Sequence, residues 1–335
     1  MKHVIYGGDG FVGRYLARDL LKLGEHVVVC DISKTDLPIY DRVEHRKMDV
    51  IDARQVADLP LDKDDIVYNM AAHLLLPIMP RKVRYEHFHG VIVEGTRNIL
   101  DNMRKHGVTK LVQFSTDMVY GVPDATPVPP DAPRAAPMGP YAETKQICED
   151  LCLEARKEGI DSTIFRPRMI VGPGRLGLLE SLFKLIDANL PVPLIGSGKN
   201  RYQMISVFDC ADAALRAAQQ GCPHGEHNLG SDNPPIVWDL LNDLIKEAGS
   251  RSFLLPTPAM PMRWVLNGLD MLGMPLLVPE QFHVAHLDYV VDNTSTKETF
   301  GWAPRYNDNE MIKAAYHEYR QRKREGVITE MVMET

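Results

Sequence analysis

The first 31 residues constrain the fold of this chain more than any other stretch. An apolar strand predicted at 3–6 runs into the glycine-rich turn Gly7-x-x-Gly10-x-x-Gly13. A helix with apolar residues at helical spacing follows, and a second apolar strand then ends in Asp31. Strand, glycine turn, helix, strand and acid, in this order, form the unit that binds dinucleotides in open parallel sheets. The sequence therefore predicts a nucleotide-binding α/β domain.

Each glycine of this turn has a physical role. One permits the tight turn, one lets a pyrophosphate approach backbone N–H groups, and one lets the helix pack closely on the strand. Asp31 can accept hydrogen bonds from both ribose hydroxyls of an adenosine and would repel a 2′-phosphate. NAD is therefore predicted in preference to NADP. The first cofactor-binding candidates are Gly7, Gly10, Phe11, Val12 and Asp31.

Residues that follow three later predicted strands join the candidates, because ligands of open parallel sheets bind at the carboxyl ends of the strands. Asp49 could meet the adenine amino group of the cofactor. The small residues at 71–72 would let the backbone lie against the cofactor. The cofactor-binding candidates at these strand ends are Asp49, Val50, Ala71, Ala72 and Ser115, and the catalytic candidates there are Thr116 and Asp117.

A helix predicted after the proline-rich loop at 122–140 carries a tyrosine and a lysine four residues apart. This spacing places Tyr141 and Lys145 on one side of the helix. A cation beside a phenol favours the phenolate, so we expect Tyr141 to act as a base below its ordinary pKa of about 10. Lys145 would supply that field and could hold a ribose. Thr116 could orient the substrate oxygen that exchanges its proton with Tyr141.

Composition excludes several classes of protein. The 335 residues include 45 acidic and 38 basic side chains, and the net charge of −7 argues against nucleic-acid binding. No apolar run approaches the roughly 18 residues that a membrane span needs. The five cysteines show no paired spacing and predict reduced, packed thiols rather than a metal site. We expect a soluble, cytoplasmic protein.

The whole pattern predicts a doubly wound α/β fold, with a parallel Rossmann sheet and a smaller C-terminal α/β lobe that binds substrate. The NAD-binding domain is predicted over residues 1–172, with 203–230 returning to it. Residues 173–202 and 231–335 form the predicted substrate lobe. No internal repeat or low-complexity tract interrupts this order.

These residues resemble the extended short-chain dehydrogenase/reductase superfamily, in its NAD-dependent epimerase/dehydratase branch. The resemblance covers nearly the whole chain. Beyond the residues above, it rests on Gly95-Thr96-Arg97-Asn98, Met118-Val119-Tyr120-Gly121, Arg166-Pro167 and Gly172-Pro173-Gly174. It implies that Thr116 is the catalytic hydroxyl, Tyr141 the acid/base and Lys145 its partner. It also implies a cofactor contact at Pro167 and a homodimer formed through helices near 91–105 and 141–158.

The resemblance implies a nucleotide-sugar epimerase. In such enzymes bound NAD takes hydride from a sugar carbon as tyrosine takes the hydroxyl proton, and the transient 4-keto sugar turns over before hydride returns to its other face. The stretch 196–201 resembles one whose arginine contacts the diphosphate of the sugar nucleotide. Arg201 is therefore a substrate candidate, together with Thr116 and Met118.

Two departures from the family pattern keep other activities open. Sugar 4,6-dehydratases carry Thr-Asp-Glu at 116–118, and Met118 cannot move protons, although Asp117 still allows an elimination. Arg166-Pro167 is more typical of reductases that act on steroids and flavonoids. An NAD(P)-dependent alcohol dehydrogenase or ketone reductase is therefore the main alternative. A non-enzymatic sensing or scaffold role is disfavoured, because such relatives commonly lack the Tyr–Lys pair.

Overall fold

The computed structural model describes residues 1–35, 41–73 and 78–325. The strands in these ranges are β1 (His3–Tyr6), β2 (Val27–Asp31), β3 (Glu44–Lys47), β4 (Ile66–Asn69), β5 (Lys110–Phe114), β6 (Asp161–Pro167), β7 (Met169–Val171), β8 (Val192–Ile195), β9 (Met204–Ser206), β10 (Gly225–Leu229) and β11 (Leu254–Thr257). The helices are α1 (Phe11–Lys22), α2 (Ala53–Ala57), α3 (Arg81–His89), α4 (Gly95–His106), α5 (Pro140–Lys157), α6 (Leu179–Asp187), α7 (Val207–Gln219), α8 (Val237–Glu247), α9 (Ala259–Met271), α10 (Pro279–Phe282), α11 (Thr294–Phe300) and α12 (Asp308–Glu325).

Seven parallel strands form the central sheet, in the order β3-β2-β1-β4-β5-β6-β10. The strand β2 reads Val-Val-Val-Cys before its final acid, and these four residues are buried. Such continuous apolar strands suit a parallel sheet that helices cover on both faces. The strand order reverses between β1 and β4, which is the point where ligands of doubly wound sheets bind. The predicted fold class is confirmed.

Helices pack on both faces of this sheet. On one face α1 and α7 pack together, and Leu16 and Ala17 share a buried core with Ala211 and Ala214. The small alanine side chains of α7 allow the two helices to approach closely. On the other face α4 and α5 contribute buried residues such as Ile99 and Cys152 to a second core. The carboxyl edge of the sheet stays open for a site.

The strand β10 lies at the edge of the central sheet beside β6, with Gly225 opposite Thr163. Residues predicted to return to the first domain therefore supply both α7 and this edge strand. A third core, with Phe183, Leu244 and Tyr316, joins α6, α8 and α12. The division into two units at the predicted boundaries stays a prediction, and residues 326–335 of the predicted lobe lie outside the described ranges.

The helix predicted from residue 91 begins ten residues earlier. The helix α3 runs through a π-helical turn at Gly90–Glu94 into α4. The apolar periodicity of α3 is interrupted by Arg84, which is buried because Asp270 accepts its hydrogen bonds, with Nη2 and Oδ1 2.7 Å apart. A partner this distant in sequence gives no local signal. None of the helices in the described ranges is both long and apolar enough to cross a membrane.

Candidate active site

A cavity of about 340 Å³ opens at the carboxyl edge of the sheet. The glycine turn, the residues after β5 and the start of α5 form one side. The segment after β6 and parts of the C-terminal lobe form the other. The predicted site residues that line it are Gly7, Gly10, Phe11, Val12, Ala72, Ser115, Thr116, Asp117, Met118, Tyr141, Lys145 and Pro167.

The glycines of the turn leave no room for a Cβ at their own positions. A Cβ on Gly13 would lie 2.6 Å from the carbonyl oxygen of Gly7. Gly7 has φ +74° and a Cβ there would lie 2.6 Å from the backbone nitrogen of Ala71. The turn therefore brings α1 directly against β1, and no side chain caps the first N–H groups of α1. Uncapped N–H groups at a helix N-terminus are suited to binding a phosphate.

Asp31 ends β2 next to this turn. Its carboxylate accepts hydrogen bonds from the backbone N–H of Asp9 (3.0 Å) and of Ser33 (3.1 Å). Asp31 and three other cofactor candidates do not belong to the described lining of the cavity. Ala71 contacts Gly7, Asp49 accepts a hydrogen bond from the N–H of Ile51, and Val50 is buried against Gly95, where a Cβ would lie 2.7 Å from its Cγ2.

The three residues predicted to carry the chemistry line one cavity. Lys145 lies one helical turn after Tyr141, and its Nζ donates a hydrogen bond of 2.7 Å to the carbonyl oxygen of Phe114. Thr116 follows β5, and its hydroxyl contacts the Asp117 carboxylate at 3.3 Å. The lysine is thereby anchored to the strand end that presents the threonine. The arrangement places a hydroxyl, a phenol and an ammonium group around one opening.

The pKa of Tyr141 is raised above its ordinary value, contrary to the prediction from sequence. Burial is the larger cause and favours the neutral phenol. The positive charge that opposes this rise in the pKa of Tyr141 comes mainly from Arg175. Burial also lowers the pKa of Lys145. The sequence interpretation attributed this field to Lys145 alone. It missed Arg175, which directly follows the turn at 172–174 and lines the cavity.

Asp117 is held in a buried ion pair with Arg168. The guanidinium of Arg168 lies against the rings of Tyr289 and Tyr202, with its carbon 4.1 and 4.9 Å from the ring centroids. The hydroxyl of Tyr289 donates to the carbonyl oxygen of Asp117 at 2.8 Å. Moving a proton onto Asp117 would break this ion pair, so the geometry suits a structural carboxylate better than an acid/base.

Arg201, the predicted diphosphate contact, is engaged elsewhere. Its Nε and Nη2 donate to the two oxygens of Asp288, at 2.9 and 2.5 Å. The neighbouring Tyr202 lines the cavity, and Arg201 does not belong to the described lining residues. The role of Arg201 in substrate binding stays a prediction, and it would require the guanidinium to exchange this partner.

Glu280 supports the start of α5 from a distant part of the chain. It is fully buried, and its Oε1 accepts a hydrogen bond from the backbone N–H of Tyr141 at 3.1 Å. A Cβ on Gly139 would lie 2.2 Å from the same oxygen, so the glycine before the helix is required for this approach. The sequence analysis missed a group of residues around the site. Among them, only Arg175 lies next to a feature that the sequence shows, the glycine turn at 172–174. The group is Arg168, Arg175, Tyr202, Glu280, Gln281 and Val284.

A family model for the NAD-dependent epimerase/dehydratase family matches residues 3–230. The chain belongs to this family. NAD is accordingly its cofactor. The glycines of the turn, where a Cβ would collide with backbone atoms, and the N-terminus of α1, which has no side-chain cap, fit its pyrophosphate. Bound NAD would be held there and by Asp31, and Tyr141 and Lys145 would line the same cavity.

Relatives with different activities resemble this chain. The UDP-glucose 4-epimerase of Lactobacillus helveticus is 31% identical, over 94% of this chain and 96% of its own length. The 3beta-hydroxysteroid-dehydrogenase/decarboxylase isoform 1 of Arabidopsis thaliana is 25% identical, over 99% of this chain and 82% of its own length. A crystal structure of UDP-glucose 4-epimerase from Thermotoga maritima, 21% identical, has a TM-score of 0.76 over 96% of this chain and 99% of its own, and shows the shared fold.

Proposed function

We propose that this protein is an NAD-dependent nucleotide-sugar 4-epimerase that works through a transient 4-keto sugar. The observation that carries the proposal is the convergence of Thr116, Tyr141 and Lys145 on one cavity beside the glycine turn. The similarity to the Lactobacillus helveticus UDP-glucose 4-epimerase supports it. The substrate class would be a hexose activated by a nucleoside diphosphate.

Each of the three side chains has a role in this reaction. NAD, when bound, supplies an acceptor that takes hydride from the sugar carbon and returns it. Tyr141 takes the proton of the sugar hydroxyl and later gives it back, and Thr116 holds that oxygen in place by a hydrogen bond. Because burial raises the pKa of Tyr141, positive charge is needed to stabilise the phenolate, and Arg175 supplies such a charge. Lys145, one helical turn away, would add to it.

Two observations disfavour a dehydratase. Met118 stands where an acid would be required, and its thioether cannot transfer a proton. Asp117 is committed to Arg168 in the buried ion pair. Removing water across neighbouring carbons needs both an acid and a base beside the substrate, and the described lining of the cavity offers no further carboxylate.

A dehydrogenase of a less polar alcohol is the second candidate, and the placement of Arg201 favours it. Because Asp288 engages this guanidinium, the expected contact to a substrate diphosphate is not preformed. The far wall of the cavity is largely apolar, with Met169, Leu176 and Val284 among its residues. The Arabidopsis relative, named as a hydroxysteroid dehydrogenase/decarboxylase, is consistent with such a substrate.

Proton NMR with a panel of UDP-, GDP-, CDP- and dTDP-sugars and trace NAD tests the proposal. An epimerase gives a new anomeric signal that grows to an equilibrium ratio while no reduced nicotinamide accumulates. Stoichiometric reduction of NAD by an alcohol would instead support the dehydrogenase. Tyr141→Phe should lower turnover by about a hundredfold or more, whereas the control Tyr306→Phe, at a partly exposed ring, should not. Full turnover by Tyr141→Phe would refute both candidates.

A homodimer through α4 and α5 is part of the same proposal. Residues of these helices such as Met103 and Ala155 lie in the core against the sheet. A dimer would therefore use the opposite faces of the two helices. Sedimentation equilibrium at micromolar protein tests it, and a single species of 37.7 kDa would contradict it.

A further inference from the structure

Arg175 lies in the wall of the cavity as a cation without a partner among the described residues. It follows the turn at 172–174, and its guanidinium carbon lies 5.8 Å from the centroid of the Phe11 ring. Phe11 itself begins α1 at the glycine turn. Within residues 1–35, 41–73 and 78–325, the Arg175 side chain makes no hydrogen bond or ion pair. Its charge therefore lies at the cavity without a counter-ion from the part of the chain that the structure describes.

The other enclosed arginines differ from Arg175 in this respect. Every arginine that is buried in the described ranges pairs with a carboxylate. The pairs are Arg14–Asp9, Arg84–Asp270, Arg166–Glu149, Arg168–Asp117 and Arg322–Glu318. Enclosing a guanidinium without an anion costs free energy. An anionic ligand that paired with Arg175 would remove this cost.

The charges around the reaction position leave Arg175 available to a substrate. The charge of Arg168 is balanced by Asp117, and the Lys145 ammonium donates to the carbonyl oxygen of Phe114. Arg175 and Tyr141 line the same cavity, and Arg175 is also the cation that most lowers the pKa of the Tyr141 phenol. An anion bound to Arg175 would therefore lie near the carbon whose hydroxyl meets Tyr141.

We propose that Arg175 binds a substrate carboxylate located on the carbon next to the reacting carbinol carbon, so that the preferred substrate is a 3-hydroxy acid. This inference rests on the proposed function. In a hexose, carbon 4 is across the ring from carbon 1, which carries the diphosphate, whereas its neighbour carbon 5 carries the carboxylate of a uronic acid. An anion close to carbon 4 is therefore the carboxylate and not the diphosphate. An acyclic or ring 3-hydroxy acid offers the dehydrogenase the same group.

Matched acid and neutral substrates test this inference with the NAD-loaded full chain. UDP-glucuronate and UDP-glucose are followed by proton NMR, and 3-hydroxydecanoate and its methyl ester by nicotinamide absorbance. The two pairs distinguish a sugar from a non-sugar source of the carboxylate. We expect kcat/KM to be higher for the acid member of one pair. Arg175→Gln should lower the ratio of kcat/KM for that acid to kcat/KM for its neutral partner about ten- to a hundredfold, through the KM of the acid. Loss of the Arg175 charge near the Tyr141 phenol would lower kcat for both members alike and leave this ratio unchanged.

Two control variants separate recognition from general damage. Arg175→Lys should recover part of the preference for the acid, because a lysine keeps the charge but not the planar fork. Arg54→Gln, at an exposed arginine of α2, should leave both members unchanged. Equal losses on acid and neutral members in Arg175→Gln would overturn the inference. A higher Kd for NAD in Arg175→Gln, with the preference for the acid intact, would also overturn the inference, because Arg175 would then bind the phosphates of the cofactor.

The inference can fail without the proposed function failing. If only neutral members are turned over, the epimerase or dehydrogenase stands and the role of Arg175 is wrong. If nothing is turned over, binding of UDP-glucuronate and 3-hydroxydecanoate is measured by NMR line broadening. Equal binding by the parent protein and by Arg175→Gln would also overturn the inference. Retained turnover in Tyr141→Phe would refute the proposed function instead.

Discussion

Replacing Glu280 should loosen the start of the helix that carries Tyr141. The first turn of any helix has N–H groups without intrahelical acceptors. In α5 the residue before the helix, Gly139, supplies no side-chain cap. The carboxylate of Glu280 takes this place, 139 residues away in sequence, by accepting from the N–H of Tyr141 at 3.1 Å. Glu280→Ala removes this acceptor, and Glu280→Gln keeps a carbonyl oxygen in the same position.

The expected free-energy changes follow from the contact that is lost. Removing a helix cap costs about 0.5–2 kcal/mol, and a buried N–H left without a partner costs about 1–3 kcal/mol. Since both describe the same hydrogen bond, we expect Glu280→Ala to lower the free energy of unfolding by about 2 kcal/mol. Glu280→Gln should cost less than about 1 kcal/mol at neutral pH. Urea unfolding measures both, with an unchanged m value as the check that only stability moved.

The dependence on pH gives a second test with a defined sign. Burial raises the pKa of Glu280 above its ordinary value of 4.5. Above pH 4.5 the folded protein therefore binds more protons at this site than the unfolded chain, and stability falls as pH rises toward the folded pKa. Glu280→Gln should remove this dependence on pH, because glutamine does not titrate. The free energy of unfolding of the variant should therefore rise relative to that of the parent protein as pH rises. Equal destabilisation in both variants, or the opposite trend with pH, would refute this account of Glu280.

Two further residues give predictions of stability. Burial lowers the pKa of His227, which packs between Phe165 and Phe300, to about 4. As pH falls from 6.5 to 4, His227 therefore takes up a proton in the unfolded chain before it does so in the folded protein. This lowers the free energy of unfolding by up to about 3 kcal/mol. His227→Phe should flatten this acid loss in urea titrations, and an unchanged slope would contradict it. Asp270→Asn leaves the buried Arg84 guanidinium without its counter-ion, so thermal or urea unfolding should show a loss of about 3–5 kcal/mol; a loss below about 1 kcal/mol would show that the pair contributes little.

The parts of the fold that sequence predicts are those fixed by neighbours along the chain. The turn from Gly7 to Gly13 requires glycine at its four glycine positions, because a Cβ at each of them would collide with backbone atoms. The central sheet follows from buried strands such as β2, which leave no polar face. The spacing of Tyr141 and Lys145 is a helical turn whatever surrounds it. These signals are local, and the confirmed fold class depends on them.

The electrostatic state of the site depends on contacts that no local pattern contains. The pKa of Tyr141 is set by burial and by Arg175, 34 residues later, so the spacing to Lys145 gave the wrong direction. The start of α3 was missed for the same reason, because the burial of Arg84 depends on Asp270. Both errors come from partners that only the folded chain brings together.

The arginines near the cavity show how such partners bear on function. Arg201 lies in a stretch that resembles a diphosphate-binding sequence, yet its Nε and Nη2 already donate to the carboxylate of Asp288. Arg175 lies in no such stretch, yet its charge is unpaired within the described part of the chain, and it lines the same cavity as Tyr141. A guanidinium that already has a carboxylate must exchange it before binding a ligand, whereas an unpaired one gains its first counter-ion. Substrate recognition in this family member is therefore expected to depend on Arg175 before Arg201.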